Sequence, residues 1–275
     1  MLERDERLSV EALIAKYQGR TAIVAVVGLG YVGLPLVRAL IAARFRVIGL
    51  DIDAGKIEAL KHGEAYISHL PAQIFASAIE VGRFNPTTNF RDLHEADAIV
   101  ICVPTPLTRH REPDLSFVES TARSILPNLR AGQLIILEST SYPGTTRDII
   151  KPILQQSKLE SGKDFFIAFS PEREDPGNIE FSTSEIPKVV GGDGEDALKL
   201  GDALYSSFVR QTVLVSSLET AEAVKITENI FRSVNIALVN ELKVIYTAMG
   251  IDVWEVIEAA ETKPFGSWHF ILALV

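Results

Sequence analysis

Gly28-Leu29-Gly30-Tyr31-Val32-Gly33 follows directly on the apolar run Ala22-Ile23-Val24-Ala25-Val26-Val27 and leads into a helix-like stretch from Val32 to Ala43. Such an unbroken β-branched run is the pattern of a strand covered on both faces in a parallel sheet. Arg46-Val47-Ile48-Gly49-Leu50 reads as the next strand and ends in Asp51, which completes a βαβ unit of about 30 residues. Each glycine answers a different need: Gly28 allows the tight strand-to-helix turn, Gly30 lets a pyrophosphate approach the backbone, and Gly33 lets the helix pack closely. The helix N-terminus then faces the phosphate charge. Asp51 is placed to accept from an adenosine ribose and to repel a 2′-phosphate, so the expected cofactor is NAD rather than NADP. Gly28, Gly30, Tyr31, Val32, Gly33 and Asp51 form the expected binding set, with Asp53 a solvated helix-start residue.

Working outward, Leu8 to Gln18 suggests a short amphipathic helix whose role is packing. Further strands are expected at Ala98 to Val103, Leu134 to Leu137 and Phe166 to Phe169, with a short last one at Val213 to Val215. Helical segments are expected at Ser116 to Leu126 and at Thr145 to Gln155, where Pro152 marks a kink or an end. This alternation predicts an α/β fold with a Rossmann-type doubly wound parallel sheet. Ser216 and Glu219 have capping-box spacing before a helix of about 30 residues, roughly 45 Å long, in which Val224, Phe231, Val234, Leu238, Leu242 and Ile245 recur at three- and four-residue steps. Gly250 stands where a glycine would stop it, and Val253 to Ala260 reads as a shorter helix. The expected division is an N-terminal helical extension (1–20), a NAD-binding domain (21–215), the start of an all-helical dimerisation domain (216–266) and a divergent tail (267–275).

Composition narrows the function. A net charge of -9 without clustered Lys and Arg argues against nucleic acid as a partner. The only cysteine, Cys102, allows no intrachain disulfide and lies in an apolar run, as a buried core thiol would; a reducing, cytoplasmic setting fits. The five histidines lack the spacing that puts two imidazoles on one helical face, so no metal is expected. The charged N-terminus suits no signal peptide and no apolar run approaches the ~20 residues of a membrane span, so no membrane partner is expected either. Polar residues then gather at strand ends, the edge where ligands sit in open α/β sheets: Val103-Pro104-Thr105-Pro106, with Thr105 expected to touch the cofactor, then Glu138-Ser139-Thr140, then Ser170-Pro171-Glu172-Arg173.

The glycine turn through Leu34-Pro35, Cys102 to Pro106, Glu138 to Thr146, Phe169 to Arg173, and Ala221-Glu222-Ala223-Val224-Lys225 through Asn229 to Asn240-Glu241 together resemble the UDP-glucose/GDP-mannose dehydrogenase family, the nucleotide-sugar 6-dehydrogenases. The likeness covers about residues 22 to 266. Tyr142-Pro143-Gly144 and Glu172-Arg173-Glu174-Asp175-Pro176-Gly177 are most similar to the branch that oxidises UDP-N-acetylhexosamines. The resemblance implies a UDP-sugar substrate, oxidation of its C6 alcohol to a carboxylate by two NAD in turn, and a homodimer through the 218–249 helix. It also implies roles. Lys225 would stabilise developing oxyanion charge, and Asn229, on the same helical face, would hold the reacting oxygen or its water. Glu172 would be the general acid/base or its relay. Thr140 would orient a water beside the cofactor.

Family chemistry passes through a thioester on a cysteine in a glycine-rich segment shortly after the region matched by Thr262-Lys263-Pro264-Phe265-Gly266. In this chain Ser267 to Val275 follows instead, so the expectation is a C-terminally truncated chain without that nucleophile or the substrate domain. Two other readings remain open at this point. One is a 3-hydroxyacid or 6-phosphogluconate-type dehydrogenase, which needs no cysteine; the other is a non-catalytic NAD-binding dimer subunit.

Overall fold

The computed structural model describes residues 9–67, 70–173 and 184–263. The Glu174-Asp175-Pro176-Gly177 run, Pro264-Phe265-Gly266, the 267–275 tail and the first eight residues lie outside them. The chain divides into two compact units, 1–223 and 224–275.

The first unit is built on an eight-stranded sheet of β1 (Ile23–Val27), β2 (Arg46–Leu50), β3 (Phe84–Thr87), β4 (Ala98–Ile101), β5 (Leu134–Leu137), β6 (Phe166–Phe169), β7 (Lys188–Gly192) and β8 (Thr212–Val215). Their order is β3-β2-β1-β4-β5-β6-β7-β8. β1 pairs in parallel with β2 (Val24 opposite Val47) and with β4 (Val24 opposite Ala98), so the chain order reverses between β1 and β4. β4, β5 and β6 are buried along their whole length, which is why their sequences carry no polar alternation.

The expected doubly wound architecture is present with one departure: the sheet is not wholly parallel, because β7 runs antiparallel to β6, Phe169 facing Gly191. Neither β3 nor β7 is anticipated from sequence. β3 contains Pro86, a residue the ladder tolerates only at an edge such as this one, and β7 opens with a lysine and closes on two glycines. The 145–155 segment also differs from one simple helix. A wide π turn, Thr146–Ile150, precedes α6 (Lys151–Leu154), and Pro152 falls in the first turn of α6 rather than breaking it. A proline is tolerated there because its absent N–H would be unpaired at a helix start anyway.

The N-terminal helix α1 (Val10–Gln18) is capped by Ser9, whose hydroxyl accepts from the Ala12 N–H at 3.2 Å. Its Leu13 and Tyr17 are fully buried, and it packs against α7 (Glu195–Tyr205). Asp97 fastens it to the sheet: Oδ1 accepts from Lys16 Nζ at 2.9 Å, Oδ2 from the Ile23 N–H at 3.0 Å, and the Tyr17 hydroxyl donates to the Asp97 carbonyl at 3.1 Å.

A 31-residue helix, α8 (Leu218–Ala248), begins in the first unit and continues into the second. Its start differs from the expected capping box. Ser217, not Ser216, accepts from the Thr220 N–H, because the helix starts at Leu218; Glu219 then falls at its second position and pairs with Arg147. The end is a Schellman motif: Gly250 at φ +71° lets the Ile251 N–H reach the Tyr246 carbonyl and its own N–H reach Thr247. α9 (Val253–Glu261) follows, capped by Asp252. Val239, Val253 and Ile257 form the core of this unit, with Ile236 and Tyr246 against it. Most of the apolar stripe read from the sequence is exposed: Phe231 is 53%, Val234 61%, Leu238 46% and Ile245 51% accessible.

Candidate dinucleotide site

The glycine turn sits at the C-terminal end of β1, beside the reversal of strand order. Gly28 has φ +95°, and a Cβ there would lie 2.7 Å from the Cys102 carbonyl oxygen on the neighbouring strand. α2 (Gly33–Ala42) starts so close beneath the turn that a Cβ on Gly33 would stand 1.8 Å from the Gly28 carbonyl oxygen. A Cβ on Gly30 would meet nothing within 4 Å. Two of the glycines therefore shape the turn, and the third keeps open space over it. Tyr31 points outward at 66% accessibility, and Val32 is half-buried.

Asp51, at the end of β2, is only 6% accessible. Its Oδ2 accepts from the Leu29 N–H at 2.8 Å and from Lys56 Nζ at 2.9 Å, and its Oδ1 accepts from the Asp53 N–H at 3.0 Å. The acid thus ties the glycine turn to the end of the next strand. Asp53 caps α3 (Ala54–His62) by accepting from the Gly55 N–H. Lys56 was not singled out in the sequence; its signal was a position one helical turn into the segment after Asp51. A cavity of about 320 Å³ opens here, between Gly28, Asp51, Lys56 and Pro104 on one side and Phe117 and Thr121 of α5 (Ser116–Ile125) on the other. This is a size suited to part of a small ligand.

The later strand-end loops adjoin this region in sheet order. Thr105 is half-buried and follows Pro104, outside the cavity lining. Thr140 is exposed on the loop after β5, and its neighbour Ser139 donates to the Val103 carbonyl at 2.7 Å, binding the two loops together. Glu172, after β6, is 9% accessible and pairs with Lys188 Nζ at 3.2 Å. Lys188 in turn lies 3.0 Å from Glu138, whose other oxygen accepts from the Tyr205 hydroxyl. Burial alone would lower the Lys188 ammonium, but Glu138 and then Glu172 outweigh it and hold the group well above its ordinary value. Sequence reasoning missed this cluster because its members are 16 to 67 residues apart and no local spacing joins them. Cys102 is buried and free, its thiol pushed up by burial and then by Glu138, as a core thiol would be.

Lys225 and Asn229 belong to the second unit, one turn apart on α8 and both half-buried. Glu222, just before them, has no local signal in the sequence, its partners being 76 and 78 residues away. It is fully buried and accepts from the Gly144 N–H at 2.6 Å, the Thr146 N–H at 2.9 Å and the Thr146 hydroxyl at 2.7 Å, fastening the first turns of α8 to the loop that follows Thr140. Among the described residues, no group of His, Cys, Asp and Glu side chains is arranged to hold a metal, and no helix is long and apolar enough to cross a membrane.

Comparison with known proteins gives the same frame. The NAD binding domain of the UDP-glucose/GDP-mannose dehydrogenase family matches residues 22–209, and the central domain of that family matches residues 219–274. UDP-N-acetyl-D-glucosamine 6-dehydrogenase of Pseudomonas aeruginosa is 40% identical over 250 residues, covering 90% of this chain and 57% of that protein. UDP-N-acetyl-D-mannosamine dehydrogenase of Escherichia coli K12 is 38% identical, covering 88% and 59%. The solved structure of the UDP-D-ManNAc dehydrogenase from Pyrococcus horikoshii superposes with a TM-score of 0.84 at 36% identity, over 90% of this chain and 59% of the other. The chain therefore spans somewhat more than half the length of these relatives.

Proposed function

The chain belongs to the UDP-glucose/GDP-mannose dehydrogenase family and carries its NAD-binding domain; on that premise we propose that it is the cofactor-binding and central part of a nucleotide-sugar 6-dehydrogenase acting on UDP-N-acetylglucosamine or a related UDP-hexosamine. The observation that carries the cofactor part of this reading is Asp51 in the lining of the cavity, bonded to the glycine turn; the UDP-hexosamine part rests on the family and its relatives. NAD, when bound, supplies the hydride acceptor. Gly30 leaves room for the pyrophosphate, with Gly28, Tyr31, Val32 and Gly33 shaping the turn around it. Asp51 retains lone-pair capacity on Oδ1 for a ribose hydroxyl and disfavours a 2′-phosphate. Thr105 and Thr140, on the loops after β4 and β5, would contact the cofactor when it is bound. In this reading Glu172 moves the proton of the C6 alcohol, Thr140 holds a water, Lys225 stabilises oxyanion charge and Asn229 holds the reacting oxygen. Buried Cys102 is given no part in a thioester step. The product, a UDP-hexosaminuronate, would feed surface-polysaccharide synthesis, and the lone buried thiol suits the cytoplasm.

The test is a thermal shift with NAD and with NADP, beside NADH production from UDP-N-acetylglucosamine. A rise in melting temperature with NAD only, without sustained NADH production, supports a working cofactor site on the cofactor-binding and central part of the enzyme. Steady turnover would overturn the expectation that the nucleophile is missing, and no rise with either cofactor sinks the site.

We also assign residues 21–215 to cofactor binding and 216–266 to dimerisation, with the 218–249 helix as the contact. The support is the exposed row of Phe231, Val234, Leu238 and Ile245 on α8, an unusual apolar stripe to leave in water. Phe231→Glu is expected to halve the mass seen by light scattering. A wild-type chain that is already a monomer at high concentration would refute the assignment.

A further inference from the structure

Glu138, Lys188 and Glu172 place three ionisable groups, each between 0 and 11% accessible by side chain, in one cluster. As a stabilising device it is a poor choice, since removing several charges from water costs so much that well-packed apolar residues often do as well or better. Its position is more telling. Glu138 directly follows β5, Glu172 lies just past β6, and Lys188 is the first residue of β7. In a wholly parallel sheet the first residue of a strand lies on the edge away from ligands. Here β7 is reversed against β6, with Gly192 opposite Ala168 and Gly191 opposite Phe169, and the reversal carries Lys188 to the C-terminal edge, past the end of β6.

We propose that Lys188 is a positioning residue for Glu172, with Glu138 as the counter-charge that fixes Lys188 in its turn. The inference rests on the reading of Glu172 as the acid/base given above. The ammonium holds Glu172 Oε2 at 3.2 Å and Glu138 Oε2 at 3.0 Å, while its charge lies 5.5 Å from the centre of the Tyr205 ring. Tyr205 from α7 donates to Glu138 Oε1, so Glu138 is held from both sides. This contact ties one oxygen of Glu172 in place, and one ammonium is divided between two carboxylates. Titratable groups that act on the cluster include Cys102, just past β4, and Tyr205 of α7; the Arg173 guanidinium donates to the Pro187 carbonyl.

Sharing makes a signed prediction. Removing the ammonium should make the Glu172 carboxylate harder to ionise, and removing the competing carboxylate should make it easier. The experiment is a carboxyl carbon-13 NMR titration of the full chain with labelled glutamate, with the Glu172 signal assigned by its loss in Glu172→Gln. In Lys188→Met the Glu172 midpoint is expected to rise by more than about one pH unit, and in Lys188→Arg to stay near the wild-type value. In Glu138→Gln it is expected to fall. If Lys188→Met does not fold, Glu138→Gln decides alone, because the amide matches the carboxylate in shape and can still accept from Tyr205. A midpoint that stays put in the folded variants while only their melting temperatures change overturns the proposal. Turnover by Glu172→Gln tests the other reading separately: undiminished NADH production would remove Glu172 from the chemistry whatever the titration shows.

Discussion

Gly30→Ala is expected to leave the domain folded and to erase the rise in melting temperature that NAD produces, while Gly33→Ala should fail before any cofactor is added. The two glycines stand three residues apart in one turn, yet the space around them differs completely. At position 30 a new methyl group meets nothing within 4 Å, so only a ligand can feel it; at position 33 it would stand 1.8 Å from the Gly28 carbonyl oxygen. That neighbour is backbone and cannot swing away. Overpacking by one methylene typically costs about 1–3 kcal/mol, and a contact this short with main chain should exceed that range. Cofactor at a hundred times its dissociation constant stabilises by about 2.7 kcal/mol, an easily measured shift. Urea unfolding of both variants, with and without NAD, separates the cases. A Gly30→Ala protein that binds NAD like the wild type would show that the open space is not where the pyrophosphate lies.

Glu222→Leu should be the most damaging single change far from the cavity. The carboxylate serves two backbone N–H groups and one hydroxyl, all in a buried position. Leucine leaves all three without an acceptor, and buried unsatisfied groups cost about 1–3 kcal/mol each. Even with partial relaxation, a loss of about 3 kcal/mol or more is expected in denaturant unfolding. Glu222→Gln, which keeps one acceptor oxygen, should lose less. The pair also carries a pH signature. Burial raises the Glu222 carboxyl above its ordinary value of 4.5, against the hydrogen bonds from Thr146 and Gly144 that lower it. The folded state therefore holds the proton more tightly than the unfolded one. This group's contribution is fully present below 4.5 and is lost as pH rises through the folded value. The stability of the wild type relative to Glu222→Gln should fall over that interval, and a difference that rises instead would contradict the assignment of burial as the dominant cause.

The parts of the fold legible in the sequence are those whose causes are local. β1, β2, β4, β5 and β6 announce themselves as apolar runs because both faces of the sheet are covered. The glycine turn announces itself because each of its glycines has a steric reason. β3 and β7 do not: β3 holds a proline that only its edge position excuses, and β7 begins on a lysine whose partners come from other strands. The long helix was legible in length and in its glycine stop. Its apolar row was legible as one face and is largely exposed; periodicity tells which residues share a face but not what covers it, and only the family resemblance pointed to a second copy. In the site, Asp51 was readable from the end of β2, whereas Lys56, Glu138, Lys188 and Glu222 act through partners that only folding brings near.

The fastening of α1 to Asp97 and α7 has a consequence for the order of synthesis. The ribosome makes α1 before its packing partner α7, which begins at Glu195, roughly 180 residues later, or about 10–40 s at ordinary elongation rates. During that interval Leu13 and Tyr17, fully buried in the finished protein, lack the part of their native surface that α7 supplies. A helix made early is thus fully secured late, and the nascent chain carries a partly covered amphipathic segment that a chaperone could hold until the sheet is nearly complete.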